Sequence, residues 1–220
     1  MSKQLNTTKN VTILLTAGRL PLPVLARVNE LASQKGYGVY LSTVQNLRLT
    51  GIGEGELDEV KQQLIAVGAE LKAPGRFPKP KVCVGKPSCN LGLVEIDKLA
   101  DKIWRAFGSR SGVKPKFKIA LAACPASCSN ALLADIGVIA TKSGYDIYFG
   151  GKGGTRPRVG VRIERGVDDD RVLAVIEQLV ALHASKPGSK MRMFKLLDDT
   201  DFPFAAEKKE KEELRSQNAE

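Results

Sequence analysis

Four cysteines are the side chains best suited to chemistry in this chain. Five residues separate Cys83 from Cys89, three separate Cys124 from Cys128, and 34 lie between the pairs. A folded chain can bring two such pairs around one metal centre. Zinc sites usually leave roughly two to four residues between paired cysteines, so the first gap is unusual for zinc. Four thiolates with no histidine close in sequence suit iron–sulfur chemistry better, with structural zinc and inert buried thiols as the alternatives on spacing alone. Disulfides are not expected, because nothing marks the chain for an oxidising compartment. Pro125 directly after Cys124 fits the first turn of a helix, and Cys89 precedes an apolar run that opens at Leu91. Both pairs are therefore expected at helix N-termini, where free N–H groups stabilise anionic sulfur.

The elements that must position these cysteines follow from periodicity. Val11–Leu15 and Gly38–Thr43 read as strands, while Pro23–Lys35 and Glu56–Ala69 read as helices with apolar residues on one face. Residues 1–72 thus form a small α+β unit, and the proline- and glycine-rich run from Ala73 to Pro80 marks its boundary. In the second unit, residues 80–205, a helix is expected from Leu91 to Phe107 with Ile96, Leu99, Ile103, Trp104 and Phe107 in the core. Strands are expected over Phe117–Ala122, Ile136–Thr141, Tyr145–Phe149 and Val159–Ile163, then a helix over Asp168–Leu182 with acidic residues at its positive end. His183 reads as a helix-terminal surface residue. Residues 206–220 read as a charged tail, frayed or disordered from Lys208 onward.

The formal charge is +10. The segment 207–220 carries four basic and five acidic residues, so residues 1–206 hold +11. Such a surplus suits an anionic partner. The basic residues form no block, and with 5% aromatic residues there are few platforms for stacking bases, so nucleic acid is not the expected partner. A polyanionic cofactor with an anionic substrate accounts for the charge, as does an ordinary solvated basic surface. No run approaches the roughly 18 apolar residues of a membrane span, and the N-terminus lacks a secretory apolar region, so a cytoplasmic protein is expected.

The run Cys124-Pro-Ala-Ser-Cys128-Ser-Asn-Ala-Leu-Leu-Ala-Asp135-Ile-Gly-Val138 resembles the signature of the sirohaem-dependent sulfite and nitrite reductases. That signature is two cysteines with three residues between, six more, then an acidic, an apolar, a glycine and an apolar residue. Ala122-Ala123 stands where the family usually has a small residue and glycine. The resemblance extends over about residues 11–200. Arg19-Leu-Pro21 resembles an early family stretch, though Leu22-Pro23 replaces the usual Gly-Gly. Ser42 to Ile52 resembles the cofactor-binding strand, with Val44 at a position usually held by arginine. Lys114 to Lys118 resembles a paired-lysine segment, and Tyr145 to Gly151 resembles a strand ending in Gly-Gly. Length and a single copy of the unit resemble the small assimilatory-type sulfite reductases.

The resemblance implies an α+β fold: a ferredoxin-like N-terminal unit, then an α/β domain holding sirohaem and a [4Fe-4S] cluster. It implies Cys83, Cys89, Cys124 and Cys128 as cluster ligands, with Cys128 also bridging to the sirohaem iron. Thr43, Gln45, Asn46, Arg48, Asn130 and Gly151 are implied as sirohaem contacts, Arg48 standing in for the arginine absent at Val44. The surplus charge would be neutralised largely by the eight sirohaem carboxylates. Arg19, Lys116, Lys118 and Lys81 are the implied substrate cations. Lys116 and Lys118, two apart in a strand, would point to one face and favour an anion between them, a solvated strand face being the plainer reading without the resemblance. Asp135 is expected to organise the loop after the cysteines rather than to act as a catalytic acid.

The implied activity is six-electron reduction of sulfite to sulfide, with sirohaem nitrite reduction to ammonium as the nearest alternative. An iron–sulfur electron carrier ligated by the four cysteines, or a zinc-structured nucleic-acid-binding protein, is the alternative of another class. No dinucleotide fingerprint follows a strand, and the glycines of Gly150–Gly154 lack phosphate-loop spacing. An external donor, ferredoxin, is therefore expected, attracted by the basic surface. Larger relatives hold two copies of this unit, with substrate residues from one and cysteines from the other. The single copy here implies either a monomer with its own complete site or a symmetric homodimer with composite sites.

Overall fold

A computed structural model describes residues 8–188 and 191–205, so the charged tail expected over 206–220 lies outside the described residues. The chain divides into two compact units, Met1–Pro74 and Gly75–Glu220. No helix among the described residues is long and apolar enough to cross a membrane.

The first unit runs β1 (Lys9–Leu14), α1 (Leu22–Lys35), β2 (Gly38–Leu41), β3 (Leu47–Ile52), α2 (Leu57–Ala66) and β4 (Glu70–Leu71). Its sheet has the order β2-β3-β1-β4 with antiparallel neighbours throughout, the ferredoxin-like arrangement expected. Val24, Val28 and Leu31 of α1 and Val60 and Leu64 of α2 join Val11, Ile13, Leu49 and Ile52 of the sheet in one core. The second strand stops two residues short of the expected Thr43, because Ser42–Asn46 closes a hairpin: Ser42 N–H donates to Asn46 O at 2.8 Å and Gln45 takes φ 63°. Likewise α2 ends at Ala66 rather than Ala69, since Gly68 turns the chain with φ 86°.

In the second unit β5 (Lys81–Val82) is followed by α3 (Ile96–Phe107), β6 (Ile119–Ala122), β7 (Ile136–Thr141), β8 (Gly144–Phe149), β9 (Val161–Val167) and α4 (Asp169–Ser185). The sheet order is β5-β6-β7-β8-β9, with β5, β6 and β7 parallel and β8 and β9 antiparallel. Helix α3 packs on β5 and β6, and α4 packs on β8 and against α3. Arg110 of the segment after α3 pairs with Glu177 of α4 at 2.7 Å, and Lys102 pairs with Asp169. Asp168 caps α4, its Oδ1 accepting from Arg171 N–H at 2.8 Å.

Several sequence expectations shift here. The helix expected from Leu91 starts at Ile96, because Lys86 N–H donates to Val94 O and Leu93 N–H to Ala123 O, holding residues 86–94 in a looped path. The strand expected from Phe117 starts at Ile119, because Lys116 has φ 70° and turns the chain. The strand expected at Val159–Ile163 lies instead at Val161–Val167. Trp104 is half-buried with Lys79 Nζ 4.7 Å from its ring, whereas Ile96, Leu99, Ile103 and Phe107 are buried as expected. His183 is a correction: it is 2% exposed, bonded through Nε2 to Met191 O at 2.8 Å, and burial pushes its pKa down.

Strand β6 alternates large and small residues. Ala120 and Ala122 share one face with Ala131, Ala134 and Ile139, so the chain after the cysteines can lie close against the sheet. Gly137, paired with Ala120, is on that same face, and a Cβ there would meet Ala131 O at 2.1 Å. Asp135 is 1% exposed at the entrance to β7. Its Oδ2 accepts Lys118 N–H at 3.0 Å, and Arg192 NH2 lies 3.4 Å from its Oδ1. Burial raises its pKa from 3.8 to about 6, against lesser opposing effects of Arg192 and Lys118.

Two consequences are measurable. Gly137→Ala is expected to cost about 3 kcal/mol in urea unfolding, because a backbone carbonyl cannot swing aside as a side chain can; a loss near zero would show that the 131–134 turn yields. The folded state binds the Asp135 proton more readily than the unfolded state, so this contribution to stability is full below pH 4 and is lost as pH rises through about 6. Between pH 5 and 7 the wild type should lose about 1 kcal/mol relative to Asp135→Asn. Parallel pH profiles for the two proteins would contradict the buried carboxylate.

Candidate functional site

Parallel pairing of β5 and β6 puts the cysteines at one end of the sheet. Cys83 follows the last residue of β5, and Cys124 comes two residues after the last of β6. Carboxyl ends of parallel strands are where open α/β sheets place ligands. The loops are joined by their backbones: Cys83 N–H donates to Leu121 O at 3.3 Å, and Leu93 N–H donates to Ala123 O at 2.9 Å. Ala123 N–H in turn donates to Cys83 Sγ at 3.1 Å. Cys89 sits in a tight turn, its N–H donating to Gly85 O and its own carbonyl accepting from Gly92 N–H. Gly92 is buried, and a Cβ there would meet Lys86 N at 2.9 Å.

The expectation that both pairs begin helices is corrected. Neither Cys89 nor Cys124 precedes an α-helix; after Cys124 the chain makes turns through Ser127 and Asn130 and one short 3-10 helix at Ala131–Leu133. Donors to sulfur therefore come from loop amides. Ser127 and Asn130 have φ 51° and 58°, a conformation natural for asparagine and costly for serine. The hydroxyls of Ser127 and Ser129 are buried without a hydrogen-bond partner among the described residues. Nothing in composition or spacing singles these serines out.

All four cysteines are free thiols; Cys83, Cys89 and Cys124 are half-buried and Cys128 is exposed. Among the described residues no three His, Cys, Asp or Glu side chains gather tightly enough to hold one metal ion. A four-iron cluster distributes its ligands one to each iron, so they need not converge on a single point. Sulfur that accepts a backbone N–H, in loops with free thiols, fits thiolate ligation.

Of the expected cofactor contacts, Gly151 is buried, and its missing side chain makes room for Ala134 O and Leu132 O, which a Cβ would meet at 2.4 and 2.5 Å. That packing explains the glycine without a ligand. In the first unit, Thr43, Gln45 and Asn46 lie in the β2–β3 hairpin. Leu15 N–H donates to Asn46 Oδ1 at 3.5 Å, and a Cβ on Gly18 would lie 3.7 Å from Gln45 Cβ, so the turn that carries exposed Arg19 neighbours this hairpin. Arg48 is occupied: its Nε donates to Thr12 Oγ1 at 3.2 Å and its NH1 to Tyr40 Oη at 2.6 Å.

The lysines do not follow the strand alternation expected of them. Lys116 turns the chain and Lys118 precedes β6, so no common strand face aligns them. Both are exposed at the amino end of β6, whereas Cys124 is beyond its carboxyl end. From Lys118 to Ala123 is about 16 Å of extended chain. Lys81 is nearer the cysteines, in β5 opposite Ala120. Lys114 is used structurally, its Nζ donating to Lys186 O.

Known proteins resemble this chain in sequence and in fold. A family model described as the nitrite and sulphite reductase 4Fe-4S domain matches residues 78–215. A nitrite reductase [NAD(P)H] of Emericella nidulans is 26% identical over 184 residues, covering 82% of this chain and 16% of the relative. An assimilatory-type sulfite reductase of Nitratidesulfovibrio vulgaris is 22% identical over 163 residues, covering 74% of this chain and 73% of the relative. The chain spans under a third of the length of several further curated relatives. The structure of Mycobacterium tuberculosis NirA superposes with a TM-score of 0.71 at 19% identity, over 90% of this chain and 39% of that one, a likeness of fold. A family match over more than half of the chain decides its membership: the protein belongs to the nitrite and sulphite reductase 4Fe-4S domain family, whose cofactors are a [4Fe-4S] cluster and sirohaem.

Proposed function

We propose that the chain is a sulfite reductase, in which Cys83, Cys89, Cys124 and Cys128 hold the cluster and the Cys128 thiolate also serves the sirohaem iron. The observation that carries this reading is the interlocking of the two cysteine loops at adjacent parallel strands, with a backbone N–H already directed at Cys83 sulfur. Cys128 is the most exposed of the four, as a thiolate shared with a second group must be. When bound, the joined centre would supply the six electrons that, with six protons, convert sulfite to sulfide and three waters. Arg19, Lys116, Lys118 and Lys81 supply the cations that bind the sulfite oxygens and deliver protons. Thr43, Gln45, Asn46, Arg48 and Asn130 are the proposed sirohaem contacts, with Gly151 shaping the pocket wall. An acidic external donor of the ferredoxin type suits the +10 charge.

The separation of Lys118 from Cys124 along β6 favours a site built from two chains. In a symmetric dimer the lysines of one chain address the centre held by the cysteines of the other, and each chain uses both of its ends. Nitrite reduction is the second reading, favoured by the nitrite reductases among the relatives.

The purified holoprotein should show a Soret-type band with a second band toward the red, and reduced viologen should be oxidised by sulfite faster than by nitrite. A spectrum without those bands ends the sirohaem assignment, and faster turnover of nitrite reverses the substrate. Lys118→Ala and Cys128→Ser chains should each be inactive, Cys128→Ser with impaired sirohaem binding. Unfolding, mixing and reloading them should recover up to about a quarter of wild-type activity, since half of the dimers are mixed and each mixed dimer has one intact site. No recovery would mean that each chain carries its own complete site.

A further inference from the structure

Asp135 is a buried carboxylate with more partners than its place behind the cysteine loop requires. Its side chain and backbone reach three parts of the second unit. Oδ2 accepts the Lys118 N–H at 3.0 Å. The next residue, Ile136, donates its N–H to Lys118 O at 3.1 Å, so both backbone groups of Lys118 are held by consecutive residues. The Asp135 carbonyl accepts Gly150 N–H at 2.9 Å, which fixes the start of the Gly150–Gly151 turn. Arg192, from the segment after α4, approaches the carboxylate at 3.4 Å.

Lys118 needs such a hold. It comes between a residue with φ 70° at Lys116 and the first residue of β6, where the first ladder bond holds its carbonyl through Ile136 and its N–H is held by the Asp135 side chain. Phe117 is buried beside it against Phe77, with ring centroids 5.4 Å apart, so the chain is anchored on one side of Lys118 by an aromatic contact. On the other side the anchor is Asp135. The Lys118 side chain is exposed and makes no ion pair with the Asp135 carboxylate, whose nearest cation is Arg192. The carboxylate therefore holds the lysine through its backbone, and the charge of the ammonium acts on it only as a lesser effect behind burial and Arg192.

We propose that Asp135, steadied by Arg192, is a positioning residue that sets the Lys118 backbone and thereby directs the Lys118 ammonium at the anionic substrate. This rests on the reading of Lys118 as a substrate cation. A carboxylate ion-paired to that lysine would weaken anion binding, whereas one that grips its amide fixes its position with a lesser effect on its charge. The same residue couples the loop of Cys124 and Cys128 to the amino end of β6, so a single buried group sets the two ends that the chemistry uses.

The test is sulfite affinity of the holoprotein, read from the perturbation of its visible spectrum, for Asp135→Ala, Asp135→Asn, Lys118→Ala and the Asp135→Ala/Lys118→Ala double variant. Asp135→Ala should bind sulfite about tenfold more weakly with an unperturbed cofactor spectrum, since it removes a charge-assisted hydrogen bond. Asp135→Asn retains an acceptor for the Lys118 amide and should stay within about twofold of wild type. The double variant should be no weaker than Lys118→Ala alone, because a residue that acts through Lys118 has nothing left to act on. Multiplied losses in the double variant, or wild-type affinity in Asp135→Ala, would overturn the proposal. If Asp135→Ala fails to load its cofactors, Asp135→Leu, with the same branching but without an acceptor, makes the same comparison with the same two outcomes. A wild-type holoprotein whose spectrum responds to neither sulfite nor nitrite would instead remove the functional reading and this inference with it.

Discussion

The parallel pairing of β5 with β6 is the contact on which the rest of the second unit depends. Cysteines 35 or more residues apart along the chain have to meet at one end of a sheet, and only adjacent parallel strands can deliver Cys83 and Cys124 there side by side. Parallel strands need a crossover, and α3 provides it. The segment from β5 to α3 then carries Cys83 and Cys89, and the segment from β6 to β7 carries Cys124 and Cys128. The strands themselves are short, two residues for β5 and four for β6, so the loops supply much of their own order through the bonds from Leu93 to Ala123 and from Ala123 to Cys83 sulfur.

Packing against the other face of β6 sets a second constraint. The loop that leaves Cys128 must return to the amino end of β7 without lifting off the sheet. Ala120, Ala122 and Gly137 leave a shallow face for it, and Gly151 lets the next strand end come within contact of Ala134 and Leu132 carbonyls. Glycine in the family signature is thus a close-approach glycine rather than a conformational one. The buried Asp135 carboxylate costs stability at neutral pH, and a fold that retains it at that position is using its hydrogen bonds for placement.

Much of this could be read from residue types and periods. A small α+β unit followed from two amphipathic helices and two strands, its ferredoxin-like character followed from the family resemblance, and the cysteine chemistry followed from spacing together with the run from Cys124 to Val138. What escaped is governed by tertiary contacts. The apolar run at Leu91 suggested a helix, yet a bond across to Ala123 holds that segment in a loop and leaves Leu91 exposed. Lys116 and Lys118 sit at the spacing of a strand face, but a left-handed residue cancels strand alternation and has no signature when it is lysine. His183 occupies the last turn of a helix, a position that is usually wet, and becomes buried only because Met191 returns over it. Arg192 lies 57 residues from Asp135, beyond any local pattern.

One short strand has lysines before its amino end and cysteines beyond its carboxyl end, and this arrangement has a logic of its own. Held together, an anionic cluster and a pair of lysines would neutralise each other and leave little field for a substrate. Held about 16 Å apart along β6, each end keeps its charge. On the proposed two-chain reading, a twofold axis that set the cationic end of one chain against the cysteine end of another would restore proximity only across the substrate, where opposite charge is useful. Duplication of such a unit within one chain would free each copy to lose one of its ends. This sequence keeps the lysines and the cysteines alike.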